Sequence, residues 1–486
     1  MKREPRGITR FPRTFWIANV MELFERWAWY GIFIILAIYL TGSTDEGALG
    51  FTQVQKGYLM GTVVGILYIL PTITGAIADR FGYKRMLILS YLILASGYFL
   101  MGYARSYAGM FLVFLYVALG AGLFKPVISA TIARTTTKET ATVGFGIFYM
   151  IVNIGAFLGP VTAAKMRVLD WQYAFMISSV AILINLALVL ILYKEPPRDK
   201  VSEPLGKTIR SIFANLFTAL KDLKLIFFLI IIVGFWTMYN QLFFTLPVFI
   251  DQWVDTNVVY RNIHSVWPWL AGFLANEESG INAELLVNID ALYIVILQVL
   301  ISWMIKRIKP VNTIITGFLI SAIGIGLWFV TQNGMYLFVT ILVFAVGEMA
   351  SSPRILEYIG NIAPKDKVAM YMGTYYLPLA GGNFLAGILS GNVYANMSDK
   401  ISLLQEEVAK RGIELPEIST SFTQNEYFSA AANALEMNSQ ELTNYLWTTY
   451  HPCNIWMVFT GIGLGTVVLL FLFDKFVLRR SPTSNP

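Results

Sequence analysis

Met21-Glu22-Leu23-Phe24-Glu25-Arg26-Trp27-Ala28-Trp29-Tyr30-Gly31 places three charges inside an apolar run that reaches from about Phe15 to Leu40. At membrane depth each such charge costs roughly 2.5–3.5 kcal/mol on insertion scales, so these groups must pair or face a wet cavity. On a helix Glu22 and Arg26 stand four residues apart on one face, with Glu25 beside them. The cluster can neutralise itself only in part, because two acids beside one base leave a carboxylate able to exchange a proton. A buried ion pair that merely orients helices is the competing reading. The imbalance argues for chemistry.

Working outward, the 486 residues are 56% hydrophobic and 14% charged, whereas a soluble domain has about 45–50% apolar and about 25% charged residues. This composition defines an all-α membrane protein. The net charge of +6 is no nucleic-acid signal, because the basic residues sit in short loops between apolar spans. The single cysteine, Cys453, excludes an intrachain disulfide. No metal-ligand spacing, nucleophile elbow or phosphate-binding glycine loop is present, so no enzyme activity, metal or cofactor is expected. His264 and His451 fall in outer loops and do not form an intramembrane proton relay. Basic residues (Lys2, Arg3, Arg6, Arg10, Arg13) precede the first apolar span without a short cleavable h-region. That span is therefore expected to be retained.

Apolar runs recur near 14–41, 54–78, 85–103, 107–133, 142–164 and 172–194, then near 225–250, 287–305, 311–332, 336–359, 367–394 and 453–475. They read as about twelve transmembrane helices in two bundles of six, 1–194 and 223–486. The polar segment 195–222 between them reads as a cytoplasmic linker with a short surface helix. Two such halves fit the major facilitator fold, in which substrate sits midway through the bilayer at the repeat interface. Lysine and arginine gather at the N-terminal tail, around Arg80, Lys84 and Arg85, at Arg134 and Lys138, at Lys306, Arg307 and Lys309, at Lys365 and Lys367, and at Lys475, Arg479 and Arg480. The alternate loops are poor in base, and Thr41–Phe51 has only Asp45 and Glu46 as charges. Both termini are therefore expected to be cytoplasmic.

Two outer-face insertions are long. The first, about 251–284, carries Trp253, Trp267 and Trp269, which suit an interfacial belt. The second, about 395–452, is acidic, and its apolar spacing predicts short amphipathic helices separated by Pro416. It reads either as a lid or docking surface or as a solvated insertion without a role in transport, and the second reading is preferred.

Gly75-Ala-Ile-Ala-Asp79-Arg80-Phe-Gly82-Tyr-Lys84-Arg85 joins the second and third spans. Gly75 permits close helix approach, Gly82 a tight turn, and Asp79 can pair with neighbouring base. The segment resembles the cytoplasmic loop signature of the major facilitator superfamily, and the resemblance implies a latch between the inner ends of the halves. Gly61 with Gly65, and Gly155 with Gly159, are small-x-x-x-small pairs expected at close helix contacts.

Further segments resemble the proton-coupled oligopeptide transporters of that superfamily. They are Glu22-x-x-Glu25-Arg26 with Trp29-Tyr30-Gly31; Tyr68-Ile-Leu-Pro71; Gly120-Ala-Gly122-Leu-Phe-Lys125-Pro126; and Phe148-Tyr149-Met150-Ile-Val-Asn153-Ile-Gly155-Ala156. In the second half they are Phe235-Trp236 with Gln241; Glu348 with Ser352-Pro353 and Ala363-Pro364; and Gly373, Leu377 and Gly382-Asn383. The resemblance implies a symporter of di- and tripeptides with the proton as coupling ion, working as a monomer in a bacterial inner membrane. It implies that Glu22, Glu25, Arg26 and Glu348 serve proton coupling. Arg26 and Lys125 would meet the peptide carboxylate, Asn153 its backbone and Glu348 its amino group. Tyr30, Tyr68, Tyr149, Trp236, Asn240 and Tyr375 would complete the substrate site.

The residues support this independently. Lys125 in an apolar helix needs a carboxylate partner or a substrate carboxylate, and Glu348 is the lone charge between Tyr336 and Met349, where burial disfavours its ionised form. A dipeptide offers complementary charges at its two ends. Three positions depart from the family: Phe33 stands for an arginine, Asn240 for an acid and Tyr375 for a tryptophan. The chain is thus identified as a divergent member, better supported in proton coupling than in peptide specificity. The alternatives are another organic anion or zwitterion as cargo, and a membrane receptor or scaffold that works through its acidic outer loop.

Overall fold

A computed structural model describes residues 11–137, 139–197, 204–276, 280–328, 331–364 and 367–478. Lys2, Arg3, Arg6, Arg10, Lys138, Arg198, Asp199, Lys200, Lys365, Arg479 and Arg480, which enter the orientation and linker readings, lie outside the described residues.

The first six spans are α1 (Arg13–Thr41), α2 (Gln53–Phe81), α3 (Tyr83–Met101), α4 (Tyr107–Arg134), α5 (Ala141–Leu169) and α6 (Trp171–Ile191). Their apolar stretches are long enough to satisfy every backbone group within the helix, which a bilayer requires. Polar residues mark the turns: Ser106 caps α4 and Asp170 caps α6, each accepting a backbone N–H of the first turn. The amphipathic α7 (Leu205–Ala219) follows, mostly exposed, at the place where a surface helix was expected.

Asp222 caps α8 (Leu223–Tyr239), which continues through two short pieces, α9 (Gln241–Phe244) and α10 (Leu246–Trp253). Pro247 cannot donate to the carbonyl four residues earlier, so the helix is interrupted there. The first insertion forms α11 (Asn257–Val266) and α12 (Pro268–Leu274). Then α13 (Ala283–Val287) leads into α14 (Ile289–Ile305), followed by α15 (Pro310–Leu327) and α16 (Tyr336–Ile362).

Among the described residues eleven helices are long and apolar enough to cross a membrane. The expected span at 367–394 is instead divided into α17 (Val368–Gly373), α18 (Tyr376–Ile388), a π turn (Leu389–Val393) and α19 (Tyr394–Met397). Pro378 lacks the N–H that would carry the helix across Thr374. The second insertion folds into α20 (Lys400–Lys410), α21 (Gln424–Ala434) and α22 (Ser439–Tyr450), before the closing α23 (Ile455–Phe473).

The chain divides into two compact units, Met1–Phe33 with Ile66–Thr218, and Ile34–Gly65 with Ala219–Pro486. In the first, α3 packs on α4 and α6, and α5 packs on α6. Backbone carbonyls receive buried side chains across helices: Ser90 donates to Gly120 O (2.7 Å), Ser179 to Ala95 O (2.7 Å) and Asn185 to Met21 O (2.8 Å). The last of these ties α6 to α1 immediately before Glu22.

In the second unit, α15 packs on α16 and α23, α8 on α18 and α23, and α14 on α16. The outer ends of α1 and α2 belong here. A Cβ on Gly57 would lie 2.2 Å from Gly387 O, and one on Gly61 2.9 Å from Gly387 Cα. Only glycine allows backbones this close. Lys56, fully buried, donates to Phe244 O at 3.0 Å beside the α9–α10 break.

The outer helices α20–α22 are built around Glu407, which accepts from Arg411 Nε (2.6 Å), Tyr445 OH (2.7 Å) and Tyr450 OH (2.8 Å). Burial opposes ionisation of this carboxyl, but the hydrogen bonds from Tyr445, Tyr450 and Arg411 outweigh it and hold its pKa below the usual value of 4.5. Capping boxes at Thr423/Glu426 and Asn438/Glu441 start α21 and α22. Asn425 donates to Asp45 (3.1 Å) and Glu46 (2.7 Å), so this small subdomain is docked on the α1–α2 loop. Trp253 is not part of an interfacial belt: it is buried and its indole N–H donates to Ser398 O at 2.8 Å. Trp267 and Trp269 remain exposed, as a belt requires.

Candidate transport site

The first unit holds a charge cluster on α1. Arg26 Nε donates to Glu25 Oε2 at 2.5 Å, its Nη2 reaches the same oxygen, and Nε lies 3.4 Å from Glu22 Oε1. Glu25 is fully buried and its Oε1 has no hydrogen-bond partner; Glu22 and Arg26 are each 6% exposed. Arg26 also lies 5.9 Å from the ring centroid of Tyr30.

Lys125, on α4, lies within electrostatic reach of Arg26, Glu25 and Glu22. Its Nζ sits 4.7 Å from the Tyr68 ring centroid rather than in a direct ion pair. The imbalance inferred from α1 alone is thereby corrected, because two acids share the site with two bases. Sequence spacing within one helix could not bring in a residue of another. Adding a proton to either carboxylate now leaves a surplus positive charge, which an incoming carboxylate can neutralise.

Two α5 glycines place this segment. A Cβ on Gly155 would meet Leu23 O at 2.7 Å and Arg26 Cβ at 2.8 Å; one on Gly159 would meet Trp27 O at 2.3 Å. Trp27 Nε1 donates to Thr162 Oγ1 at 2.6 Å in the same contact. Asn153, on this helix, turns its amide back to Tyr149 O (2.8 Å), and the Tyr149 ring is exposed. Phe33 is core, stacked on Trp29 with ring centroids 5.2 Å apart.

The superfamily loop is organised within this unit. Gly82 adopts φ 105°, so the turn needs glycine there. Asp79 accepts from Tyr83 OH (2.9 Å), and Arg134 donates to that hydroxyl (3.2 Å). Lys84 Nζ donates to Leu190 O at 3.1 Å. Glu195 accepts the backbone N–H groups of Tyr83 (2.9 Å) and Lys84 (3.2 Å). Arg80 and Arg85 are exposed. Gly75 has ordinary room, its Cβ position 3.6 Å from Pro126 Cβ, so no close approach demands a glycine there.

The second unit carries Glu348 on α16. Its Oε1 accepts from Tyr239 OH at 3.0 Å, while the buried Oε2 has no hydrogen-bond partner. Tyr239 is held by Trp236 (ring centroids 5.0 Å) and Phe344 (5.8 Å). Asn240 instead turns back to Trp236 O at 2.7 Å and is 5% exposed. Tyr239 is therefore the α8 residue that serves Glu348, although sequence reading singled out its neighbours Trp236 and Asn240. Tyr375, in the turn before α18, packs edge-on against Tyr376 at 5.6 Å.

Comparison with known proteins agrees with this architecture. Residues 16–253 match the Major Facilitator Superfamily. The peptide transporter YePEPT of Yersinia enterocolitica is 21% identical, over 82% of this chain and 92% of its own length. Dipeptide and tripeptide permease B of Salmonella typhimurium is 24% identical, over 82% and 91%. Among solved structures, a mutant of the peptide transporter POT in complex with alafosfalin superposes with a TM-score of 0.71 at 18% identity, covering 98% of this chain and 96% of that one. A POT family transporter in complex with 5-aminolevulinic acid gives 0.69 at 17% identity, covering 98% of each chain. The chain thus has the major facilitator fold, matches that superfamily over its first half, and is similar along most of its length to peptide transporters and to dipeptide and tripeptide permeases.

Proposed function

We propose that this protein takes up di- and tripeptides together with protons by alternating access. The observation that carries the reading is the buried cluster in which Arg26 is shared by Glu22 and Glu25, with Lys125 in electrostatic reach. A proton on one of these carboxylates frees Arg26 and Lys125 for the carboxylate of the peptide, so the two ligands favour each other's binding. Glu348 receives the peptide ammonium, oriented by the Tyr239 hydroxyl. Asn153 meets the peptide backbone, and Tyr30, Tyr68, Tyr149, Trp236 and Tyr375 line the path. Homologues of the chain named as peptide transporters and permeases support this class of cargo. The protein acts as a monomer in a bacterial inner membrane with both termini cytoplasmic, and the proton is its coupling ion.

The test is uptake of labelled dialanine into proteoliposomes under an imposed inward proton gradient, for the wild type and for Glu25→Gln. Accumulation against a peptide gradient is expected for the wild type. The variant is expected to lose it while keeping passive exchange. A folded wild type that moves no dialanine overturns the peptide reading and directs the search to other organic anions and zwitterions.

A further inference from the structure

Asp290 takes no part in the scheme above. It lies in the first turn of α14, is 5% exposed, and its Oδ1 has no hydrogen-bond partner. The charged group it senses is Glu348, whose own Oε2 is likewise buried and unpartnered. The two are brought within electrostatic reach by the packing of α14 on α16, where Ile294, one turn beyond Asp290, meets Ala345 and Met349 on either side of Glu348. Two unpartnered carboxyl oxygens thus belong to one apolar locality.

Among the described residues of the helices around them, no fixed cation neutralises them. On helices α13 to α17, among the described residues, Arg354 alone is a cation; it is held by Glu357 (2.5 Å) and Ile305 O (2.8 Å). The other titratable groups on these helices are acids or phenols. Tyr293 donates to Phe338 O and Tyr371 to Asp222, while Glu284 lies buried on α13. Tyr336 stands exposed at the start of α16, and Glu357 and Tyr358 lie beyond Arg354. From α8, Tyr239 reaches Glu348 as a neutral donor. A buried Asp290 and a part-buried Glu348, with no free cation on these helices, are neutralised by protons or by what they bind.

We propose that Asp290 and Glu348 form a dicarboxylate site that selects peptides whose first residue is cationic. This inference rests on the peptide reading above and goes further by setting the substrate class. The terminal ammonium of such a peptide neutralises one carboxylate, and the side-chain cation of its first residue neutralises the other. A peptide with a neutral first residue supplies one charge, so the second carboxyl keeps a proton. When a dicationic amino end displaces that proton, one carboxyl O–H bond breaks, the proton leaves to water, and ammonium N–H groups donate to the freed oxygens. Rising pH withdraws the proton and so favours the dicationic peptide. Asp290 is on this account a specificity residue.

The experiment is competition of unlabelled lysyl-alanine, alanyl-lysine and dialanine against labelled dialanine uptake in proteoliposomes at pH 5 and pH 7. It uses the wild type, Asp290→Asn and Asp290→Glu. Lysyl-alanine is expected to compete about tenfold better than its order isomer alanyl-lysine, which has the same composition, and the gap should widen at pH 7, where both peptide amines are still mostly protonated. Asp290→Asn should reduce that ratio about tenfold and remove its pH dependence, while Asp290→Glu should keep both. Equal competition by the two isomers with the wild type overturns the proposal without the need for any variant. So does an isomer ratio in a transporting Asp290→Asn protein that equals that of the wild type. In both cases dialanine transport, and the peptide reading with it, survives. If the folded wild type moves no dialanine, the reading itself fails and takes this inference with it.

Discussion

Gly159→Ala adds one methyl group at the place where α5 crosses behind the charged segment of α1. The new Cβ would sit 2.3 Å from Trp27 O, 2.7 Å from Gly31 N and 3.2 Å from Gly31 Cα, all backbone atoms. No side-chain rotation relieves such contacts. Ordinary contact begins at about 3.4 Å, so the two helices must part by about 1 Å. Overpacking of this kind costs about 1–3 kcal/mol. For a domain of roughly this unit's size, each kcal/mol lowers the melting temperature by about 2–4 °C. Gly146→Ala is the matched control, because its Cβ would have nothing within 4 Å on the same helix. There the better helix propensity of alanine makes the change neutral or stabilising by up to about 1 kcal/mol. Thermal unfolding of both purified variants, in one detergent at one scan rate, therefore gives shifts of opposite sign or a clear gap. Dialanine uptake should fall in Gly159→Ala only, since Glu25 and Arg26 ride on the displaced helix. Equal melting temperatures and equal uptake for the two variants would refute the reasoning.

Removing the Tyr239 hydroxyl with Tyr239→Phe leaves Glu348 Oε1 without its donor. A hydrogen bond to such a group is worth about 1–3 kcal/mol. The KM for dialanine is expected to rise about fivefold or more with the protein still folded, and an unchanged KM would show that Glu348 needs no orientation. In the outer subdomain, the pKa of Glu407 is held below 4.5 by Tyr445, Tyr450 and Arg411 against the effect of burial. A carboxylate whose folded value is depressed contributes stability above its unfolded value, and that contribution is lost as pH falls through the folded value. Hydrogen exchange in α20–α22 should therefore quicken as pH drops below 4.5, after correction for the intrinsic rate. Glu407→Gln should exchange faster at neutral pH and lose this acid dependence; a wild-type profile in the variant would exclude Glu407 as the cause.

The rule that singled out Glu348, a lone charge in an apolar run, applies equally to Asp290 between Leu285 and Ile305. That signal was present in the chain. Tyr239 carried no comparable signal, because a tyrosine in an aromatic run is indistinguishable from a packing residue until its hydroxyl is seen at a carboxylate.

Composition, the length of the apolar runs and the four-residue spacing of Glu22 and Arg26 were enough to establish a helical membrane protein with a charged first span. These are local or additive properties: the bilayer tests each segment for length and polarity, and a helix tests each pair for its spacing. The resemblance of short motifs then pointed to peptide transporters, the proteins that the chain is similar to along most of its length. Tertiary structure alone decided that Lys125 stands within reach of both α1 acids, that the Tyr239 hydroxyl meets Glu348, and that Asp290 lies within electrostatic reach of Glu348. It also showed which glycines are obligatory: Gly155 and Gly159 press on backbone, whereas Gly75 and Gly146 have room. Such facts depend on which helices lie side by side and how they are rotated. That is settled by the packing of all of them together, and no window of sequence contains it.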